Sequence, residues 1–299
     1  MNNESILKTF GVATGVCVVC AIIVSFSSVA LKGLQDQNKL LDKQVNVLKA
    51  AGLVPADGKA TKAQVDEMFK TAEIVVVDLA TGAVVADADP SKVESDKTNV
   101  VALTPEQDVA KIKTAPKQAV VYRFNDETGA LKTLVFPISG TGLWSRMNGF
   151  LSLNADLTTV AGLVFYDHGE TPGLGGEISN PKWTEKWNGK TAVDETGAPV
   201  VKVVKGTATD AATEVDGISG ATLTCNGVNG TIEFWLGPNG YGPYLKTLRG
   251  DAPATEAEAP AETSEATEAT KAEAPAETSE ATEATKAEAS AETSEASEN

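Results

Sequence analysis

The sequence predicts an α+β protein with one N-terminal transmembrane helix, a soluble domain built on an antiparallel sheet with flanking helices, and a disordered C-terminal tail. Three observations predict it. Residues 10–31 form a run of 22 without a charge. Runs rich in Val, Ile, Leu and Phe cluster in the middle of the chain, with helical spacing towards its ends. Residues 251–299 contain no aromatic and no large aliphatic residue.

The elements follow in order. Residues 1–9 are a short leading segment. Residues 10–31 are long enough to cross a bilayer as a helix. Ser28, Val29 and Ala30 resemble a signal cleavage site, but the run exceeds a signal core and Glu4 offsets Lys8, so a retained anchor is expected. Residues 32–55 continue as a juxtamembrane helix. Leu34, Leu40, Leu41, Val45 and Leu48 keep roughly helical spacing, and Gly52 and Pro55 end it.

The soluble domain spans residues 56–250. A short helix is expected at 62–70 and a strand pair at 73–85, turning at Ala-Thr-Gly. Strands at 120–124 and 131–138 flank Asn-Asp-Glu-Thr-Gly, a loop with hairpin chemistry. Two more strands are expected at 150–154 and 159–166, and another at 200–204. Residues 180–188 read as helical, with Trp183 and Trp187 four apart, as do 226–236 and 244–248. The tail, 251–299, repeats with a 15-residue period, identical over 258–272 and 273–287. Ordering it would cost entropy with nothing to bury, so it reads as disordered.

Charge and composition exclude several classes. The formal net charge is −16, and the tail, with 14 acids against two lysines, carries −12 of it. The other 250 residues are near neutral, without a basic stripe, so no nucleic-acid partner is expected. A single histidine, His168, cannot build a multi-histidine metal site, and no metal is expected. Cys17 and Cys20 lie in the apolar run and read as small apolar residues; Cys225 is alone in the body. No phosphate loop and no complete dinucleotide fingerprint is present. Redox chemistry here would require a borrowed organic cofactor.

Three loop motifs remain. Asp216-Gly-Ile-Ser-Gly-Ala-Thr222 sets a hydroxyl just after small residues, at the expected start of a helix. Free amides at a helix start attract anions, phosphate above all, although a Ser/Gly/Thr turn that merely caps the helix has the same composition. Gly140-Thr-Gly-Leu-Trp-Ser145 carries Trp144, a flat ring suited either to a planar heterocycle or to anchoring its loop. In His168-Gly-Glu-Thr-Pro-Gly-Leu-Gly-Gly176, the glycines allow close backbone approach or form an ordinary loop. His168 and Glu170 could exchange protons or simply bond within that loop.

With Leu34-Gln35, Asn38, Leu41-Asp42, Asn46-Val-Leu48 and Ala50-Ala-Gly-Leu53 after the membrane run, these motifs resemble the C subunits of the sodium-translocating NADH:quinone reductases. The likeness covers residues 1–250, and the acidic tail departs from it. The resemblance implies FMN joined through its phosphate to Thr222 as a phosphoester. It implies a separate flavin transferase with FAD as donor, for which Asp216 matches the recognition aspartate. Trp144, Glu170, Thr171, Gly173, Leu174, Gly175, Ser219, Gly220, Ala221 and Thr224 are the implied cofactor-binding residues. The implied function is electron relay from NADH towards ubiquinone, coupled to sodium export, with no NADH site in this chain.

The resemblance also implies a six-subunit complex in the bacterial inner membrane, contact with lipid, and a periplasmic soluble domain. Charge alone argues for the cytoplasm, because Lys32, Lys39, Lys43 and Lys49 follow the span while only Lys8 precedes it. The alternatives are the G-type FMN subunit of an ion-translocating ferredoxin:NAD oxidoreductase, and a membrane-anchored binding module without cofactor. The juxtamembrane segment argues against the first.

Overall fold

The computed structural model describes residues 3–55 and 60–250; the tail reading falls outside them. Helix α1, Asn3–Ala50, is unbroken for 48 residues, roughly 72 Å at the usual rise. Its apolar part is long enough to cross a membrane, and the most hydrophobic 18-residue stretch has mean hydropathy 2.3 with none of it buried. From Val45 the helix sinks into the body, where Val47, Leu48 and Ala50 are fully buried. It ends in a Schellman turn. The Leu53 amide donates to the Leu48 carbonyl, the Gly52 amide to Lys49, and Gly52 takes φ +69°.

Helix α2, Lys62–Phe69, starts with a capping box between Thr61 and Gln64. Strand β1 follows, Ala72–Asp78, then helix α3, Pro90–Ser95, and a small antiparallel pair of β2, Val101–Ala102, with β3, Thr114–Ala115. Strands β4, Gln118–Asn125, β5, Leu131–Thr141, β6, Arg146–Asn154, and β7, Val160–Asp167, complete the main sheet. Its order is β1-β4-β5-β6-β7, antiparallel throughout. Beyond it come α4, Pro181–Thr184, with a 3₁₀ turn Glu185–Trp187, and β8, Lys202–Val203, with β9, Glu214–Val215. Helices α5, Thr222–Leu236, and α6, Gly242–Arg249, close the domain.

Both faces of the sheet are covered. Along β4, Val120, Tyr122 and Phe124 face the end of α1 and α2, while Ala119 and Val121 face the core shared with α5 and α6. That two-sided burial explains why these strands read as continuous apolar runs rather than alternating ones. The α1 end is fastened to the sheet: the Ser152 hydroxyl donates to the Ala50 carbonyl, and Gly162 leaves room for that carbonyl.

Three local expectations differ. The second half of the 73–85 pair contributes only a bridge, Val77 to Val84. Asp78 folds the chain over tightly by accepting the Ala80 and Thr81 amides, and β1 pairs with the longer β4 instead. Residues 180–188 split into α4 and the 3₁₀ turn. The 200–204 strand shortens to β8, which pairs with β9 in parallel.

A side chain at Gly162 would strike the Ala50 carbonyl. Gly162→Val is expected to cost about 2 kcal/mol or more, read as a lowered midpoint in thermal or denaturant unfolding.

Candidate flavin site

The three loop motifs converge on one buried carboxylate. Glu170, only 5% exposed, follows β7 in the His168–Gly176 loop. Its Oε1 accepts the amides of Trp144 at 2.9 Å and Ser145 at 3.3 Å, across the loop between β5 and β6. Its Oε2 accepts the Thr224 hydroxyl at 2.6 Å, in the first turn of α5. Burial opposes the charge, but the Thr224 hydroxyl and the amides of Trp144, Leu143 and Ser145 outweigh it and hold the carboxyl below its usual range. A second stitch joins the same loops, where the Gly169 amide donates to Ser145 Oγ at 2.6 Å. His168 Nδ1 accepts the Glu170 amide at 3.3 Å, within the same loop.

Two glycines make this junction possible. A Cβ at Gly142 would stand 2.5 Å from Glu170 Oε1, and one at Gly175 would stand 2.5 Å from the Thr224 hydroxyl. Gly173 supplies φ +76°, letting the Leu174 and Gly176 amides turn back to the Thr171 carbonyl. Trp144 projects outwards and is 70% exposed; Leu143, Leu174 and Leu223 are exposed too. Trp144 is therefore no core residue. Its backbone anchors the loop while its ring is left free.

The Asp216–Thr222 segment is a tight turn into α5. Gly220 takes φ +74° with Leu174 packed over it, and the Ala221 amide donates to the Ile218 carbonyl. Helix α5 begins at Thr222, where the motif placed the helix start, so the helix read over 226–236 reaches four residues further back, and no side chain caps it. The amides of Thr222, Leu223 and Thr224 therefore lack intrahelical partners. Ser219 and Thr222 are exposed, and Ala221 is buried. The cap reading of this motif fails, because Thr224 spends its hydroxyl on Glu170 and Thr222 is the first helical residue.

Beside the turn lies a cleft of about 310 Å³, whose lining includes Lys205, Gly206, Ile218, Thr222 and Cys225. Its wall is fixed to α5 by Asn229, which bonds both the amide and the carbonyl of Val203. Cys225 is buried, its thiol accepts the Ile218 amide at 3.5 Å, and burial pushes its pKa up. Asp216 lies behind the turn. The Ala208 amide and the Lys186 ammonium hold its carboxyl below the usual range. Sequence reasoning passed over Lys186, Lys205 and the cleft role of Cys225. Larger clefts, among them ones of about 520, 400 and 390 Å³, are lined by none of the residues of the three loop motifs.

Because Glu170 is held charged in the fold, its contribution is complete above about pH 5 and is lost as pH falls through its lowered pKa. Glu170→Ala strands the Thr224 hydroxyl and two amides. It is expected to cost about 2–3 kcal/mol at pH 7, with the gap to wild type narrowing as pH falls below the ordinary glutamate range in denaturant titrations.

Residues 142–237 match the FMN-binding domain family. The chain is 42% identical over 254 residues to the C subunit of the Na(+)-translocating NADH-quinone reductase of Yersinia pestis, covering 83% of this chain and 95% of that one. It is 43% identical to the protein of the same name from Pseudomonas aeruginosa, over 83% and 98% of the two chains. Among solved structures, NqrC of Shewanella oneidensis aligns with a TM-score of 0.63 and 32% identity, covering 71% of this chain and 99% of that one. With the site's three motifs joined as described, these likenesses place the chain plainly: it belongs to the family of C subunits of Na(+)-translocating NADH-quinone reductases.

Proposed function

We propose that this chain is the flavin-bearing electron-transfer subunit of a membrane-bound, Na⁺-translocating NADH:quinone oxidoreductase, with FMN joined through its phosphate to the Thr222 hydroxyl. The observation that carries the reading is the start of α5, where an exposed hydroxyl stands beside unpartnered helix amides in a chain of this family.

The residues present fit the group. Uncapped amides at a helix start stabilise a phosphate. Ser219 and Gly220 leave Thr222 approachable, and a side chain at Gly220 would press on Leu174. The exposed faces of Trp144, Leu174 and Leu223 offer apolar area to a flat heterocycle. Glu170 acts through others, holding Trp144 and Thr224 in place, while Thr171, Gly173, Gly175 and Ala221 shape the backbone around them. FMN, when bound, supplies reversible one-electron transfer. The phosphoester keeps the carrier from exchanging with solvent, which suits a relay between NADH and ubiquinone coupled to sodium export.

The other subunits of a six-subunit complex, lipid around residues 10–31 and a maturing flavin transferase are the partners of this reading, with Asp216 as the transferase's recognition residue. The soluble body is assigned to the periplasmic side of the bacterial inner membrane. The lysines after the span oppose that placement, but a helix held by neighbouring subunits need not follow a weak charge bias.

Flavin fluorescence should stay with the band of natively produced protein under denaturing electrophoresis, and Thr222→Ala should abolish it. Fluorescence that survives the substitution would sink the assignment of Thr222.

A further inference from the structure

The Asp216–Thr222 segment presents its acceptor but not its acid. Ser219 and Thr222 are exposed. Asp216 has both carboxylate oxygens engaged: Oδ2 accepts the Lys186 ammonium at 2.6 Å, and Oδ1 accepts the Ala208 amide at 2.7 Å. Its own carbonyl accepts the indole N–H of Trp183 at 2.9 Å, from a ring that is buried. The segment that carries α4 and its 3₁₀ turn is thus clasped to the back of the motif at two points. The pair itself is half-exposed, with 46% of the Lys186 side chain and 32% of the Asp216 side chain open to solvent. A pair so exposed opens readily, since such contacts are weak and screened by salt.

We propose that Lys186 is a latch on flavin attachment: transfer to Thr222 proceeds from a state in which Asp216 has let go of Lys186, and the pair closes again afterwards. This rests on the proposed Thr222 linkage and on Asp216 as the transferase's recognition residue. In the transfer, the Thr222 oxygen bonds to the FMN-side phosphorus of FAD. The pyrophosphate P–O bond breaks, AMP leaves, and the hydroxyl proton passes to solvent; no electrons change hands. An enzyme that reads the Asp216 carboxylate competes with Lys186 for Oδ2. The folded chain therefore competes with its own modification. Lys186 is a positioning residue, because it touches Asp216 and not the reacting atoms.

The test uses the full-length chain, produced in cells without a flavin transferase and purified in detergent. It is incubated with FAD and a purified transferase, and the intact mass is followed in time. Lys186→Met should raise kcat/KM for the protein substrate about two- to five-fold, the range expected for an exposed pair. Lys186→Arg should restore the wild-type rate. The ratio of mutant to wild type should fall towards one in high salt, a response that mere loosening of the fold would not give. Lys186→Gln replaces the methionine variant if that one does not fold. Modification of both neutral variants at or below the wild-type rate would overturn the latch. A wild-type chain that takes up no FMN would instead overturn the Thr222 reading.

Discussion

The site depends on one buried carboxylate. An ionised group removed from water is costly unless hydrogen bonds replace its hydration. Glu170 meets that requirement only by drawing in the Trp144 and Ser145 amides and the Thr224 hydroxyl. These donors belong to the β5–β6 loop and to helix α5, so satisfying Glu170 is the same event as assembling the site. The surrounding glycines follow from it. Gly142 and Gly175 stand where any side chain would reach the carboxylate or its hydroxyl partner. The Thr224 bond also holds the first turn of α5, and with it the backbone position of Thr222 at its start.

A second constraint links this site to the membrane span. The end of α1 is not a tether. Val47, Leu48 and Ala50 are buried against the sheet, and Ser152 bonds the last helical carbonyl. The opposite face of that sheet carries α5, so contacts run from the end of α1 through β6 and β5 to α5. An electron carrier gains from such stiffness, because its distance to neighbouring centres is set by packing rather than by a flexible linker.

How far the sequence revealed all this followed from range. The apolar run, the Gly52 stop and the hairpin around residues 125–131 were legible, because each is written in adjacent residues. The three motifs were legible as clusters of small residues, and resemblance joined them to a cofactor. Their physical connection was not. Glu170 bonds residues 25, 26 and 54 positions away, and nothing near it announces an internal acceptor rather than a cofactor contact. What holds the first turn of α5 was hidden for the same reason. Thr222, Leu223 and Thr224 include two β-branched residues of modest helix propensity, and a tertiary bond holds them helical. The Lys186–Asp216 pair spans 30 residues and follows from the fold alone.

The most direct measurement of the central claim is a double-mutant cycle on Glu170 and Thr224. Glu170→Ala, Thr224→Val and the double variant are compared with wild type in denaturant unfolding at pH 7. A joint that assembles the site predicts a coupling of about 1 kcal/mol or more between the two positions. Effects that add to within about 0.5 kcal/mol would contradict it, leaving Glu170 and Thr224 as independent parts of their separate segments.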